Sequence, residues 1–296
     1  MRWVLADDGA RLHVDVHEPS TPHGPTAVFT HGYAQSSACW HHQVAALGSA
    51  GHRVVIWDLR AHGRSVAGPE GPWTIERITD DLAAVIQATV PDGDLVLVGH
   101  SMGGMAVMAL AEQHPELVRR VRGVAFVSTA ADNAHLAWLG LGDRATPYVQ
   151  KLAGLVFGRL ATHEHAWRLV SWTGPLADAA TWIACCGWRT SWRDTLLTVE
   201  AAHGGGFVAM RDFLPALLAN DRTHALEAWR EVESLVLNGS ADLLIPGRCS
   251  DEIAAALPGS RRVSVRAAGH NVMLAGHRQV DTELLALVRR ASAPTT

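Results

Sequence analysis

The sequence predicts an α/β protein with a doubly wound, mostly parallel sheet and an inserted helical cap. Three observations lead there. Residues 1–130 alternate short, continuously apolar runs with segments of helical periodicity, the pattern of parallel strands covered on both faces. The alternation stops at Ala131 and resumes at about Leu226. A chain of 296 residues, 48% hydrophobic and 18% charged, can bury one large core and still carry an insertion.

The elements follow in order. AVFTHGY (Ala27 to Tyr33) is a short β-rich run, and HHQVAALGSAG a helix closed by glycine. RVVIWDLRAHGRS is a buried strand running into a turn, and TIERITDDLAAVIQATV a capped amphipathic helix. LVLVGH is a third apolar strand, MGGMAVMALAEQHPELV a helix, and VRGVAFVST a fourth strand. Residues 131–225 read as several helices and hold six of the eleven tryptophans: Trp138, Trp167, Trp172, Trp182, Trp188 and Trp192. Strand and helix then alternate again through SLVLNGSADLLIP, SDEIAAAL, RRVSVRAAGH and QVDTELLALVRR. The expected division is a core of residues 1–130 and 226–296, with residues 131–225 as the cap.

A net charge of −4 gives no footprint for nucleic acid or an anionic membrane. No apolar run reaches membrane-spanning length, and the N-terminal residues lack the apolar core of a secretory signal. Cys39, Cys185, Cys186 and Cys249 have neither disulfide-framework nor metal-ligand spacing. The expectation is a cytoplasmic protein with reduced thiols, acting on a hydrophobic small molecule.

The chemistry centres on Gly99-His100-Ser101-Met102-Gly103, a G-x-S-x-G pattern at the seam between an apolar strand and a helix. A turn that tight has no room for Cβ atoms two residues either side of the serine, and it lifts the hydroxyl above the sheet edge. A serine hydroxyl needs a base, and an imidazole base needs a carboxylate to orient it. Asp242 follows the strand SLVLNG and His270 follows the strand RRVSV, so both fall at carboxyl ends of parallel strands. Two backbone N–H donors would hold the oxyanion: that of Met102, next to the serine, and that of Tyr33, with Ala34 as the fallback.

The motifs THGYAQSSACW, DLRAHGRS, VGHSMGG, NGSADLLIP and AAGH, in that order, resemble the α/β-hydrolase superfamily, and specifically its lid-bearing serine hydrolases. The one departure is Ala61, where the family usually has glycine. The resemblance implies the Ser101, Asp242, His270 triad and hydrolysis of an ester, lactone or thioester without a cofactor. The same triad also serves carbon–carbon bond hydrolases, acyl-transferring cyclases and metal-free perhydrolases or haloperoxidases, and a receptor-like homologue could keep the fold without turnover.

Some relatives place the acid after the strand before the cap, which makes Asp132 the rival of Asp242, and His277 is a weaker rival of His270. His31, His100, Arg60 and His62 are expected to support the turns around the site. His203-Gly204-Gly205-Gly206 imitates an oxyanion loop but lies far from the strand it would have to follow, so it reads as a connection. His41-His42 and His163-Glu164-His165 lack the i, i+4 spacing of a helical zinc motif, and no metal is expected from them.

Overall fold

The computed structural model describes residues 2–68, 71, 73–132, 148, 151–152, 155, 159, 182–186, 190–204 and 206–293. Trp138, Trp167, Trp172, Trp188 and the His163-Glu164-His165 cluster lie outside the described residues.

Eight strands form one sheet: β1 (Arg2–Leu5), β2 (Arg11–His17), β3 (Thr26–Thr30), β4 (Val54–Trp57), β5 (Leu95–His100), β6 (Val121–Val127), β7 (Glu233–Gly239) and β8 (Arg261–Val265). Their order across the sheet is β1-β2-β4-β3-β5-β6-β7-β8, parallel from β4 to β8 and antiparallel at β1 and β2. The parallel strands β3, β4 and β5 are buried at every position, which is why they read as unbroken apolar runs. One apolar cluster on each face supplies the core. Val28, Leu97, Val124 and Val236 point to one side, and Phe29, Val98, Ala125 and Leu237 to the other.

The hairpin β1–β2 is an addition to the sequence reading. Its signal is present in Asp7-Asp8-Gly9, where Gly9 turns the chain at φ 89°, but its strands are partly exposed and their apolar alternation is weak.

Seven α-helices longer than about one turn lie among the described residues: α1 (His41–Ser49), α2 (Ile75–Thr89), α3 (Met102–Gln113), α4 (Trp192–Gly204), α5 (Gly206–Leu218), α6 (Gly247–Ala256) and α7 (His277–Ala291). Thr74 caps α2, its hydroxyl accepting from the Arg77 amide at 3.1 Å. The chain leaves the core after β6 and returns at a neck. There Asp132 forms a β-bridge with Asp221, and Ala131 O accepts from Arg222 N at 2.7 Å. Helix α5 packs back onto the core, with the Phe213 ring 5.1 Å from Trp73 and 5.7 Å from His62. Among the described residues no helix is long and apolar enough to cross a membrane, and all four cysteines are free.

Two loops meet at the middle of the sheet. The chain winds from β3 outward to β4, then crosses back to β5 on the other side of β3, so the carboxyl ends of β3 and β5 flank the switch point where open α/β sheets bind ligands. The turn after β4 is anchored there by Arg60, which is fully buried. Its guanidinium donates to both Asp81 oxygens at 2.7 Å and to Asp8 at 2.7 Å. Arg60→Met leaves the Asp81 carboxylate buried without its partner. The expected loss is about 3–5 kcal/mol in urea unfolding, and a loss under about 1 kcal/mol would contradict this account.

Candidate active site

Ser101 stands between the last residue of β5 and the first of α3, with φ 51° and ψ −122°. A left-handed φ on a residue with a Cβ is strained, typically by about 1–3 kcal/mol, and persists only where the surroundings enforce it. They do so through the backbone. Ser101 N donates to Val127 O at 3.0 Å, and Ser101 O accepts from Gly104 N at 2.8 Å and from the Thr129 hydroxyl at 2.7 Å. The flanking glycines explain themselves by distance. A Cβ on Gly99 would lie 2.6 Å from Gly103 O, and one on Gly103 would lie 2.5 Å from the Thr30 and His31 carbonyl oxygens. These obstacles are backbone and cannot move aside, so the turn admits glycine alone at both positions.

His270 follows β8, and its Nδ1 donates to Asp242 Oδ2 at 2.9 Å. The other oxygen of Asp242, which follows β7, accepts from Leu244 N and Ile245 N at 2.9 Å each. The carboxylate therefore has a fixed orientation, and Nδ1 of the imidazole carries the proton. His270 is brought to the serine's side of the sheet through His100, whose ring lies 4.7 Å from the His270 ring and whose Nε2 donates to His270 O at 3.1 Å. Burial holds the His100 pKa well below the usual histidine value, so this support is uncharged. Ser101, Asp242 and His270 are each under one-tenth exposed. Asp132, the rival carboxylate, sits at the neck against Asp221. His277 pairs instead with Asp281, at 3.4 Å on the outer helix α7.

The loop after β3 lies directly against the serine: a Cβ on Gly32 would come within 2.9 Å of Ser101 Cβ. Two buried histidines shape this loop. His31 Nδ1 donates to Gly32 O at 2.8 Å, and its Nε2 accepts from Leu59 N at 3.0 Å. His62 Nδ1 donates to Arg60 O at 2.8 Å, and its Nε2 accepts from Ala34 N at 3.1 Å. Both rings must be neutral to accept from an amide. Burial provides for this, lowering the His31 pKa and pushing that of His62 down to about 3. The Ala34 N–H is thus committed to His62, which removes the fallback oxyanion donor and leaves Tyr33 as the loop's candidate. Met102 is the first residue of α3, where an N–H has no carbonyl four residues back in the helix.

Ala61 adopts φ 58°, the left-handed region in which glycine is unstrained. That accounts for the family's preference at this turn. His203 and Gly204 end α4 and Gly206 begins α5, while Gly205 lies outside the described residues.

Asn271 and Gln35 are site residues that sequence reasoning missed. Asn271 is fully buried beside His270. It accepts from Gln35 Nε2, donates its side-chain amide to Thr198 Oγ1 at 3.1 Å, and donates its backbone N–H to Cys185 O at 2.7 Å. One residue thus ties the histidine loop to the β3 loop and to the inserted segment.

A family model described as the alpha/beta hydrolase fold matches residues 25–276. A protein of Variovorax paradoxus (strain S110) described as "Putative carbamate hydrolase RutD" is 29% identical over 96% of this chain and 98% of its own. Among solved structures, an enol-lactonase from Burkholderia xenovorans LB400 superposes with a TM-score of 0.78 at 23% identity, covering 97% of this chain and 100% of that one. A thermophilic esterase from Thermogutta terrifontis gives 0.79 at 20% identity, covering 99% of both. At such identities the structures speak for the fold alone, whereas the family match spans most of the chain. With its strand order and its strained serine between β5 and α3, this chain belongs to the α/β-hydrolase fold family of enzymes.

Proposed function

We propose that this protein is a serine hydrolase that cleaves a carboxylic ester, lactone or thioester of a hydrophobic small molecule through an acyl-enzyme. The observation that carries the reading is the 2.9 Å contact from His270 Nδ1 to an immobilised Asp242, in a chain whose Ser101 stands on a strained strand-to-helix elbow. In this reading His270 Nε2 takes the Ser101 proton as Oγ attacks the carbonyl carbon, and Asp242 stabilises the imidazolium that forms. The Met102 and Tyr33 amides hold the oxyanion. His270 then protonates the departing alcohol or thiol. A water deprotonated by the same imidazole attacks the acyl carbon, releasing the acid and regenerating Ser101. All proton traffic runs through one histidine, and the cycle uses no cofactor.

Residues 131–225 would form a cap over the site, with Asn271 as its tie to the catalytic histidine. The free cysteines suit a reducing compartment such as the cytoplasm. The near full-length likeness to the Variovorax protein supports a second substrate class, carbamates, whose carbonyl undergoes the same attack.

The test is hydrolysis of nitrophenyl esters from acetyl to long-chain acyl, with a nitrophenyl carbamate beside them. Ester turnover with a chain-length optimum is expected, and that optimum measures the acyl pocket. Carbamate turnover that exceeds every ester would select the second class. A folded protein inert towards the whole panel would overturn both.

A further inference from the structure

Outside the active site, one cluster of side chains is arranged for a ligand that neither the fold nor the proposed hydrolysis requires. His41 and His42 open α1, and Asp194 stands in the first turn of α4, 152 residues further on. Their ligand atoms all lie within 4.8 Å of one another. His41 Nε2 is 3.2 Å from Asp194 Oδ1, and His42 Nε2 is 3.4 Å from Oδ2.

The polarity of these contacts is the informative part. His41 Nδ1 donates to Ala38 O at 3.1 Å, so in the neutral ring Nε2 bears a lone pair and not a proton. That lone pair faces Asp194 Oδ1, a buried carboxylate oxygen with no hydrogen-bond partner. Asp194 as a whole is only 4% exposed. Two electron-rich atoms thus stand 3.2 Å apart, an arrangement that either a proton on the ring or a bound cation relieves.

We propose that His41 Nε2, His42 Nε2 and the Asp194 carboxylate form a binding site for a zinc-like divalent cation that joins the core helix α1 to the inserted helix α4. Imidazole and carboxylate are the donors such ions take. Two ligands each about 2.0–2.1 Å from one tetrahedral ion stand roughly 3.3–3.4 Å apart, close to the two nitrogen–oxygen spacings here. The bond from His41 Nδ1 to a backbone carbonyl is the outer contact that usually orients a metal-bound imidazole. Ser191 Oγ donates to Asp194 Oδ2 at 2.7 Å and steadies the carboxylate. The His277 ring stacks on His42 at 3.8 Å and fixes its plane. His42 ligates as the tautomer protonated on Nδ1, and water completes the tetrahedron, so neutral rings bind without net proton release. The i, i+4 criterion passes over this site because its third ligand comes from a distant helix.

The consequence is mechanical. Asp194 O accepts from Thr198 Oγ1 at 3.0 Å, and Thr198 Oγ1 accepts from Asn271, the neighbour of His270. An ion at the start of α4 therefore holds the helix that supports the histidine loop.

The chain has 17 histidines, so only variants separate this site from adventitious binding. The chelator-treated full chain is titrated with zinc chloride and, separately, with cobalt(II), whose visible absorption reports tetrahedral coordination. The expected result is one equivalent per chain, with the apparent Tm raised by roughly 5 °C at a hundredfold excess over Kd. Binding and shift should be lost in His42→Ala and in Asp194→Asn, and both metal-free variants should melt close to the metal-free wild type. His42 is partly exposed, so its truncation tests the site even where Asp194→Asn disturbs folding. No stoichiometric uptake, or uptake that His42→Ala leaves unchanged, overturns the proposal, and neither result bears on ester turnover.

Discussion

Ser101→Ala is expected to lower kcat for ester hydrolysis by roughly 10⁴- to 10⁶-fold while leaving the unfolding midpoint in urea within experimental error of wild type. The size of the effect follows from what one oxygen does. In the proposed mechanism there is no covalent intermediate without Oγ, and the residual rate comes from water attacking a carbonyl held only by the two amides. The fold should not notice, because the elbow is held by backbone groups: Ser101 N on Val127 O, and Gly104 N and the Thr129 hydroxyl on Ser101 O. Alanine keeps the Cβ and those bonds. It also carries the same left-handed φ, which Ala34, Ala61 and Ala267 already adopt elsewhere in this chain. The measurement is steady-state turnover of the best ester, with an unfolding curve from the same preparation. A folded variant retaining more than about a tenth of the activity would remove Ser101 as the nucleophile.

The parts of the site that were legible in the sequence are those specified locally. Gly99 and Gly103 announce the elbow because backbone oxygens stand 2.5–2.6 Å from where their Cβ atoms would be, and only glycine satisfies such a turn. Asp242 and His270 could be placed because β7 is a short apolar run, β8 is a short strand of alternating burial, and the chain must emerge from each at the same edge of the sheet. What was illegible acquires its meaning from contacts between distant segments. Gln35 and Asn271 meet across 236 positions, and neither has a flanking pattern. His41 and His42 look like an ordinary pair until Asp194 arrives from α4. The histidines around the β3 loop carry no sign of their roles either. His62 accepts from Ala34 N only because burial keeps its ring neutral, and burial is a tertiary property. The β1–β2 hairpin was passed over for a different reason: partly exposed strands near the sheet edge have too weak an apolar alternation to separate from loop.

Asp242→Asn is expected to cost about 10⁴-fold in kcat with KM little changed, and the surrounding hydrogen bonds say why. In the wild type, Oδ1 accepts two backbone amides, Leu244 N and Ile245 N, and Oδ2 accepts the proton on His270 Nδ1. An asparagine must turn its carbonyl oxygen toward the two amides, because its NH₂ group cannot accept from them. The NH₂ then faces His270 Nδ1 and donates to it. That reverses the polarity of the contact and moves the ring proton to Nε2, the atom that must be bare to take the serine's proton. The base is left in place but in the wrong tautomer, so binding persists and chemistry fails. Asp132→Asn changes a residue at the neck of the inserted segment, where Asp132 bridges Asp221, and should keep most of the activity. Measuring kcat and KM for both variants on one ester decides between the two carboxylates. A severe loss in Asp132→Asn beside a mild one in Asp242→Asn would transfer the acid's role to Asp132 and leave the 2.9 Å contact to His270 as a structural one.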